Sequence, residues 1–285
     1  MARRIEEGRP GEAKAVLNPS EPNPLLRFEY DRGSNYEMDT RITLAMAALV
    51  PEAELINSDH RMFQIVHLVN EYVWCSMHHE LGRVAGALDN DDFGLAARLI
   101  ARTNGLAELP VQCVRILMDH LPQASFLRMR DHLPANTSGL DSPGGRNLRR
   151  VCRAVWKSFE AAMQRNDVTS KDLIEEFARE GGTAPAAWLS GLSTVQTGLH
   201  ALDCKLMEWN QLHLRLVRQH LGGHPAARAE STPAAAAAAA EGPTSLRGEP
   251  VNELERLSER SVFPLLWKSV DDAYRQATPD RTTQI

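Results

Sequence analysis

Trp209 and His213 stand four residues apart in Met207-Glu208-Trp209-Asn210-Gln211-Leu212-His213-Leu214-Arg215-Leu216-Val217-Arg218, where apolar residues recur at helical spacing. An imidazole on the apolar side of a helix needs a partner. A second such histidine, His67, lies in Phe63-Gln64-Ile65-Val66-His67-Leu68-Val69-Asn70-Glu71-Tyr72-Val73-Trp74, again sharing a face with aromatics. Two inward histidines on distant helices are suited to hold or bracket a metal centre. For each the competing reading is a core histidine bonded to a backbone carbonyl. His220, two turns beyond His213 on much the same face, is a rival ligand that spacing does not eliminate. His78-His79-Glu80 lacks the second histidine four residues on that a zinc helix requires. Arg130, in Phe126-Leu127-Arg128-Met129-Arg130-Asp131-His132-Leu133, is either a surface guanidinium paired to Asp131 or, beside an apolar pocket, a grip for a carboxylate through two parallel hydrogen bonds.

The elements that must carry these residues read as helices. Apolar residues repeat at three- and four-residue intervals over Met38 to Leu49, Asp59 to Leu88, Asp92 to Asn104, Pro110 to Leu121, Arg146 to Gln164, Ser170 to Glu180 and Leu192 to Leu221. Asn57-Ser58-Asp59 supplies a start signal for the second, Ser170 opens another, and Gly222-Gly223 closes the last. No stretch alternates as a strand would, so the class is all-α. Residues 1–35, rich in Pro, Gly and charge, read as an irregular arm, and residues 36–224 as the helical core. Residues 225–250 hold the tract Ala234 to Ala240 between Pro233 and Pro243, too short for an isolated helix, and read as a mobile loop. From about Val251 a final helix, ending with Val262-Phe263-Pro264-Leu265-Leu266-Trp267, is expected to pack back on the core within 251–285.

Composition narrows the function. With 43% hydrophobic residues the 285-residue chain can bury a substantial core. A net charge of -5, from 32 basic and 37 acidic residues, leaves no basic stripe for nucleic acid. Cys75, Cys113, Cys152 and Cys204 are widely spaced and read as reduced structural thiols. The first residues lack the apolar core of a signal peptide, and no run reaches the roughly 18 apolar residues of a membrane span, so no membrane partner and a cytoplasmic location are expected.

The order and wording of several segments resemble the tryptophan 2,3-dioxygenase superfamily of histidine-ligated haem enzymes. The resemblance spans about residues 36–267: Tyr36-Glu37-Met38-Asp39, then Asp59-His60-Arg61-Met62-Phe63-Gln64-Ile65-Val66-His67 with Glu71 and Trp74, and His79-Glu80-Leu81. Phe126 to Leu133 with Ser138-Gly139-Leu140-Asp141-Ser142 follows, similar to the family's arginine stretch and its Ser-Gly-Phe-Gln-Ser run. Trp209 with His213 and the Val262 to Trp267 segment complete the series.

The resemblance implies a single helical-bundle domain enclosing haem b, with His213 as the axial iron ligand beside Trp209 and His67 as the distal histidine near the substrate ring. It places Phe63 and Phe126 against that ring, Arg130 on the substrate carboxylate and Ser138 near the haem edge, the last after one extra residue in Pro134-Ala135-Asn136-Thr137. The implied activity is that of an oxidoreductase: oxygenation of an aromatic L-amino acid, foremost L-tryptophan or a methylated tryptophan, by dioxygen. Ferrous iron with one protein ligand leaves a position for oxygen, and the pocket holds the ring against it. A homodimer or homotetramer, in which the arm before Met38 becomes ordered, is implied as well.

Departures from the family pattern keep alternatives open. The glycine-rich run that closes over substrate is replaced by Gly222-Gly223-His224-Pro225, the alanine tract and Gly242-Pro243-Thr244-Ser245-Leu246-Arg247-Gly248, where Thr244 and Ser245 are candidates for the missing hydroxyl. Phe126 stands where the family often has tyrosine. Altered closure leaves mono-oxygenation beside ring cleavage, and tyrosine ring hydroxylation with peroxide on the same scaffold is the nearest alternative; an alanine-, arginine- and proline-rich chain fits a bacterial secondary-metabolic setting. A haem- or amino-acid-sensing protein without chemistry, and a helical scaffold with no cofactor, are the readings from other classes.

Overall fold

The computed structural model describes residues 15–30, 35–133, 142–178, 186–226, 244, 250, 251 and 253–277. Among the described residues the protein is helical apart from a short ribbon, in which β1 (Ala15–Val16) pairs antiparallel with β2 (Glu29–Tyr30), and an isolated bridge between Thr244 and Pro250. Ten α-helices follow: α1 (Asn35–Thr40), α2 (Ile42–Ala47), α3 (His60–Asp89), α4 (Phe93–His120), α5 (Gln123–Arg130), α6 (Pro143–Arg165), α7 (Ser170–Phe177), α8 (Ala187–Leu221), α9 (Glu253–Ser258) and α10 (Pro264–Ala277), counted among the described residues.

Local chemistry accounts for the ends. The Asp92 carboxylate accepts the Leu95 N–H at 3.0 Å to start α4, and the Ser142 hydroxyl accepts the Gly145 N–H at 2.9 Å with Pro143 in the first turn of α6. Thr169 and Asp172 form a capping box at α7, so the cap lies one residue before the Ser170 read from sequence. At α8 the chain leaves through Gly222 with φ 88, a backbone state open to glycine.

Several boundaries differ from the sequence expectation. The two helices expected over 92–104 and 110–121 are one, α4, running through Pro110. Proline forfeits one helical hydrogen bond, typically about 3 kcal/mol, but Ala107, Pro110, Val111 and Val114 are all buried against neighbouring helices, which offsets it. The helix expected over Met38 to Leu49 breaks at Arg41, whose φ of 55 is left-handed. The single C-terminal helix is two, α9 and α10, and Val262 to Trp267 straddles the start of the second rather than ending the first. The arm expected to be irregular carries the ribbon, where the Asn18 side chain accepts the Phe28 N–H at 2.9 Å and donates to the Leu26 carbonyl at 3.1 Å.

Four long helices make the body: α4 packs on α8 and on α3, and α3 on α6. Numbers rise together along α4 and α8, from Asn104 donating to the Gly198 carbonyl at 2.9 Å to Gln219 donating to the Met118 carbonyl at 2.8 Å. These two helices are parallel and approach closely; a Cβ on Gly198 would stand 2.7 Å from Ile100 Cγ2. Because α3 turns tightly into α4 through Asp91, it runs against both. Thus α3 and α8 are antiparallel, and their inward stripes meet across the interior.

Candidate functional site

One end of that interior is fully buried and the other, packed around a second apolar cluster of Val66, Cys113, Leu117, Leu121 and Met129, is less completely so. On the α3 stripe Trp74, Met77, Leu81 and Leu88 are buried, whereas His67 and Phe63, two and three turns nearer the start than Trp74, keep solvent access. On α8 Leu192, Val195, Leu199 and Leu202 are fully buried, but Leu206, Trp209, His213 and Leu216 on the continuing stripe are only partly so. The floor is the edge-on contact of Trp74 with Trp209, ring centroids 5.2 Å apart.

Above this floor sit the two histidines. The His213 ring stacks on Trp209 at 5.1 Å and 6° and forms no hydrogen bond with any described residue. Burial, followed by the nearby charge of His67, pushes its pKa down to about 4, so the imidazole is neutral at pH 7 with an uncommitted nitrogen lone pair. His67 faces the Phe63 carbonyl with Nδ1 at 2.7 Å. That contact requires Nδ1–H as the donor in the neutral ring, so Nε2 keeps a lone pair. Burial lowers the His67 pKa too, while the Phe63 carbonyl and Glu71 oppose the shift. The residue itself is exposed at the surface.

Phe63 lies 4.3 Å from the His67 ring and 6.2 Å from Phe126, and Phe126 meets His220 edge-on at 5.1 Å. These form a continuous aromatic wall. His220 is spoken for: Nδ1 and Nε2 are each 2.9 Å from a carbonyl oxygen, of Leu216 and Leu121, and the residue is buried. Helix α5, which carries Phe126 and Arg130, is tied to the start of α3 by Asn57 Nδ2 donating to the Ser125 carbonyl at 3.0 Å and by the Ser125 hydroxyl donating to Asp59. Asp59 therefore clamps two elements; its side chain makes no cap bond to α3, contrary to the capping role read from sequence. Arg130 shares the face of Phe126 and donates from Nη2 to the Thr244 carbonyl at 2.7 Å. The rest of its guanidinium has no described partner, and Arg130 forms no ion pair with Asp131. Thr244 thus meets Arg130 through its backbone carbonyl, while Ser138 and Ser245 lie outside the described residues.

Two contributors escaped sequence reading. Asp203, fully buried on α8, accepts from the Val262 N–H at 2.8 Å, the Trp267 indole N–H at 2.9 Å, the Phe263 N–H at 3.3 Å and the Ser261 hydroxyl. This one carboxylate fixes the Val262 to Trp267 segment to the helix that bears His213; an acid among Leu199, Leu202 and Leu206 was the available signal. The second is Asn70, one turn beyond His67 and buried, whose Oδ1 has no hydrogen-bond donor. The Trp209 indole N–H is likewise buried without an acceptor.

Among the described residues no group of three or more His, Cys, Asp or Glu side chains is placed to hold a bare metal ion. Glu80 of His78-His79-Glu80 is instead bridged by Arg83 and Arg102, each at 3.1 Å. Also among the described residues, no helix is long and apolar enough to cross a membrane. No protein-family model matches the chain, and no curated protein does.

Proposed function

We propose that the protein is a haem-dependent oxygenase of an aromatic L-amino acid, with L-tryptophan or a methylated tryptophan as first candidate. The observation that carries this reading is the pair of neutral imidazoles at the less buried end: His213 with no committed ring nitrogen, and His67 with its Nε2 lone pair free. The residues present fit haem b. A neutral, unprotonated imidazole is the form that ligates iron, and a single ligand suffices for haem where a bare ion needs several. The buried indole N–H of Trp209, without an acceptor beside His213, fits a bound group carrying its own acceptors.

His213 would hold the iron, and the haem would supply activation of dioxygen, or of peroxide. The chain's own residues then bind and orient. Phe63 and Phe126 offer the aromatic wall for the substrate ring. Arg130 retains donors beyond the one given to Thr244 and takes the carboxylate by a charge-assisted pair. His67 Nε2 accepts the indole N–H, orienting the ring while its own tautomer is fixed by the Phe63 carbonyl. Holding both ends of the amino acid in one geometry contributes by proximity.

The test is to incubate haem-loaded protein with tryptophan, 3-methyltryptophan and tyrosine separately, under dioxygen and under peroxide, and to weigh the products. Oxygen added to tryptophan or its methylated form supports the reading. Turnover of tyrosine alone replaces it with ring hydroxylation, and a substrate-induced Soret change without oxygen consumption replaces it with sensing.

A further inference from the structure

The outer face of α6 carries a feature that the functional reading leaves unused. Leu148, Val151, Cys152, Val155 and Phe159 are buried on its inner face, while Arg146, Arg149, Arg150, Arg153 and Lys157 are all exposed, and residues 146–157 contain no Asp or Glu. Arg260, from the connection between α9 and α10, joins them. Partial burial, followed by the charges of Arg260, Arg153 and Arg146, holds the Arg149 pKa below its usual range, so these four guanidinia lie close together. Among the described residues none of the four forms an ion pair. Like charges gathered without compensation repel one another, and an anion from outside the fold relieves them.

The first turn of α6 ties this surface to the interior. A Cβ on Gly145 would stand 3.8 Å from Arg149 Nη1, and one on Gly144 would stand 3.0 Å from Trp74 Cβ and 3.1 Å from its Cε3. The Gly144 N–H also donates to Glu71 Oε2 at 2.8 Å. From Trp74 the contacts run edge-on to Trp209 at 5.2 Å, then by stacking to His213 at 5.1 Å. A continuous series of contacts therefore leads from the arginine surface to the residue read as the iron ligand.

We infer that Arg146, Arg149, Arg153 and Arg260 form the docking surface for an acidic one-electron carrier protein, which passes its electron inward past Trp74 and Trp209 to ferric haem iron on His213. The inference rests on the haem reading, in which iron must be ferrous to take dioxygen. The reduced carrier loses one electron, ferric iron gains it, and no bond or proton changes place. A small charged patch suits such a partner, because redox encounters bury little area and are steered and oriented by complementary charge. The rest of a chain of net charge -5 repels the same partner, which confines docking to this face. Net charge alone conceals this local basic surface, for which single-stranded nucleic acid is the competing occupant.

An acidic two-iron ferredoxin is the probe. Its binding to the haem-free and the haem-loaded protein is followed by fluorescence anisotropy of the labelled carrier. Its reduction of the ferric protein is timed without oxygen under carbon monoxide, which traps ferrous haem as a shifted Soret band. Both binding and reduction should weaken steeply with added salt. Arg149→Glu with Arg153→Glu, and independently Arg146→Glu with Arg260→Glu, should each slow reduction and weaken binding by about tenfold or more, with haem uptake unchanged. Arg98→Glu with Lys171→Glu, the same charge change on α4 and α7, should leave both near the wild type. An equal loss in that control, insensitivity to salt, or tighter binding of a single-stranded oligonucleotide than of ferredoxin overturns the docking assignment while leaving haem binding intact. A wild type that takes up no haem yet binds ferredoxin through these arginines overturns the functional reading and the electron route, and leaves only the docking surface.

Discussion

The Trp209 indole lies parallel to the His213 imidazole, 5.1 Å between centroids and 6° between planes. Trp74 meets the Trp209 ring edge-on at 5.2 Å. The orientation of the His213 ring is therefore set by the filled part of the bundle beneath it rather than by a hydrogen bond. Its nitrogens stay uncommitted as a result, which is what an iron ligand requires and what a packed core histidine lacks.

His220 is the internal control. With both ring nitrogens against carbonyls, His220→Ala is expected to lower stability by about 2 kcal/mol, because the Leu121 carbonyl loses its buried partner. Haem uptake by the folded variant should match the wild type. Urea unfolding and a Soret titration on the same preparation check both halves; loss of haem binding in folded His220→Ala would mean that the rival nitrogen is the ligand.

Asp203 holds the end of the chain. Asp203→Ala leaves the Val262 N–H and the Trp267 indole N–H without their acceptor, and a destabilisation of about 3 kcal/mol is expected. Denaturant unfolding measures it, and limited proteolysis should cut between α9 and α10 in the variant first. Unchanged stability and cleavage would show that the contacts of Phe263 and Leu266 alone secure the segment.

Stability of the haem-free protein should depend on pH in a defined direction. Unfolded His213 titrates near the ordinary 6.5 and the folded ring near 4, so below 6.5 the unfolded chain binds the extra proton. Stability is whole above about pH 6.5, falls as the pH drops toward about 4, and levels off below; His213 alone contributes at most about 3 kcal/mol to that loss. The shift at His67 acts in the same direction. Unfolding curves from pH 7.5 to 4 read the slope, and His213→Gln should flatten it. An equal slope in that variant would place the dependence elsewhere.

Arg130→Gln should weaken binding of the amino-acid substrate by about 2 kcal/mol, some thirtyfold in Kd, with haem affinity unaltered. The Thr244 carbonyl keeps a donor in Gln only if the shorter chain reaches it, so Arg130→Lys is the useful companion: it retains charge without the paired fork. Substrate-induced Soret shifts give both affinities. An unchanged Kd in Arg130→Gln would return this residue to the role of a strut for the segment at Thr244.

Much of the helical frame was legible because its apolar spacing is strong. The stripe of Phe63, His67 and Trp74, and the pair Trp209 and His213, could be seen as faces before any packing was known. Their opposition could not, since it depends on α4 running parallel to α8, a relation set by contacts such as Asn104 with Gly198. Pro110 misled because its local cost was weighed without the burial that offsets it. Asp59 misled in the other direction, its cap-like position hiding a tertiary bond to Ser125. Spacing left His213 and His220 equivalent; only the carbonyls of Leu216 and Leu121 distinguish them.

The central claim is that His213 brings a haem into the less buried end of the bundle. Titration of the haem-free protein with ferric haem, followed at the Soret band for the wild type and for His213→Ala, tests it most directly. Saturable one-to-one uptake by the wild type and no stable complex in a folded His213→Ala protein are expected. A wild type that stays colourless after gel filtration, or a His213→Ala protein that binds haem equally well, would contradict it.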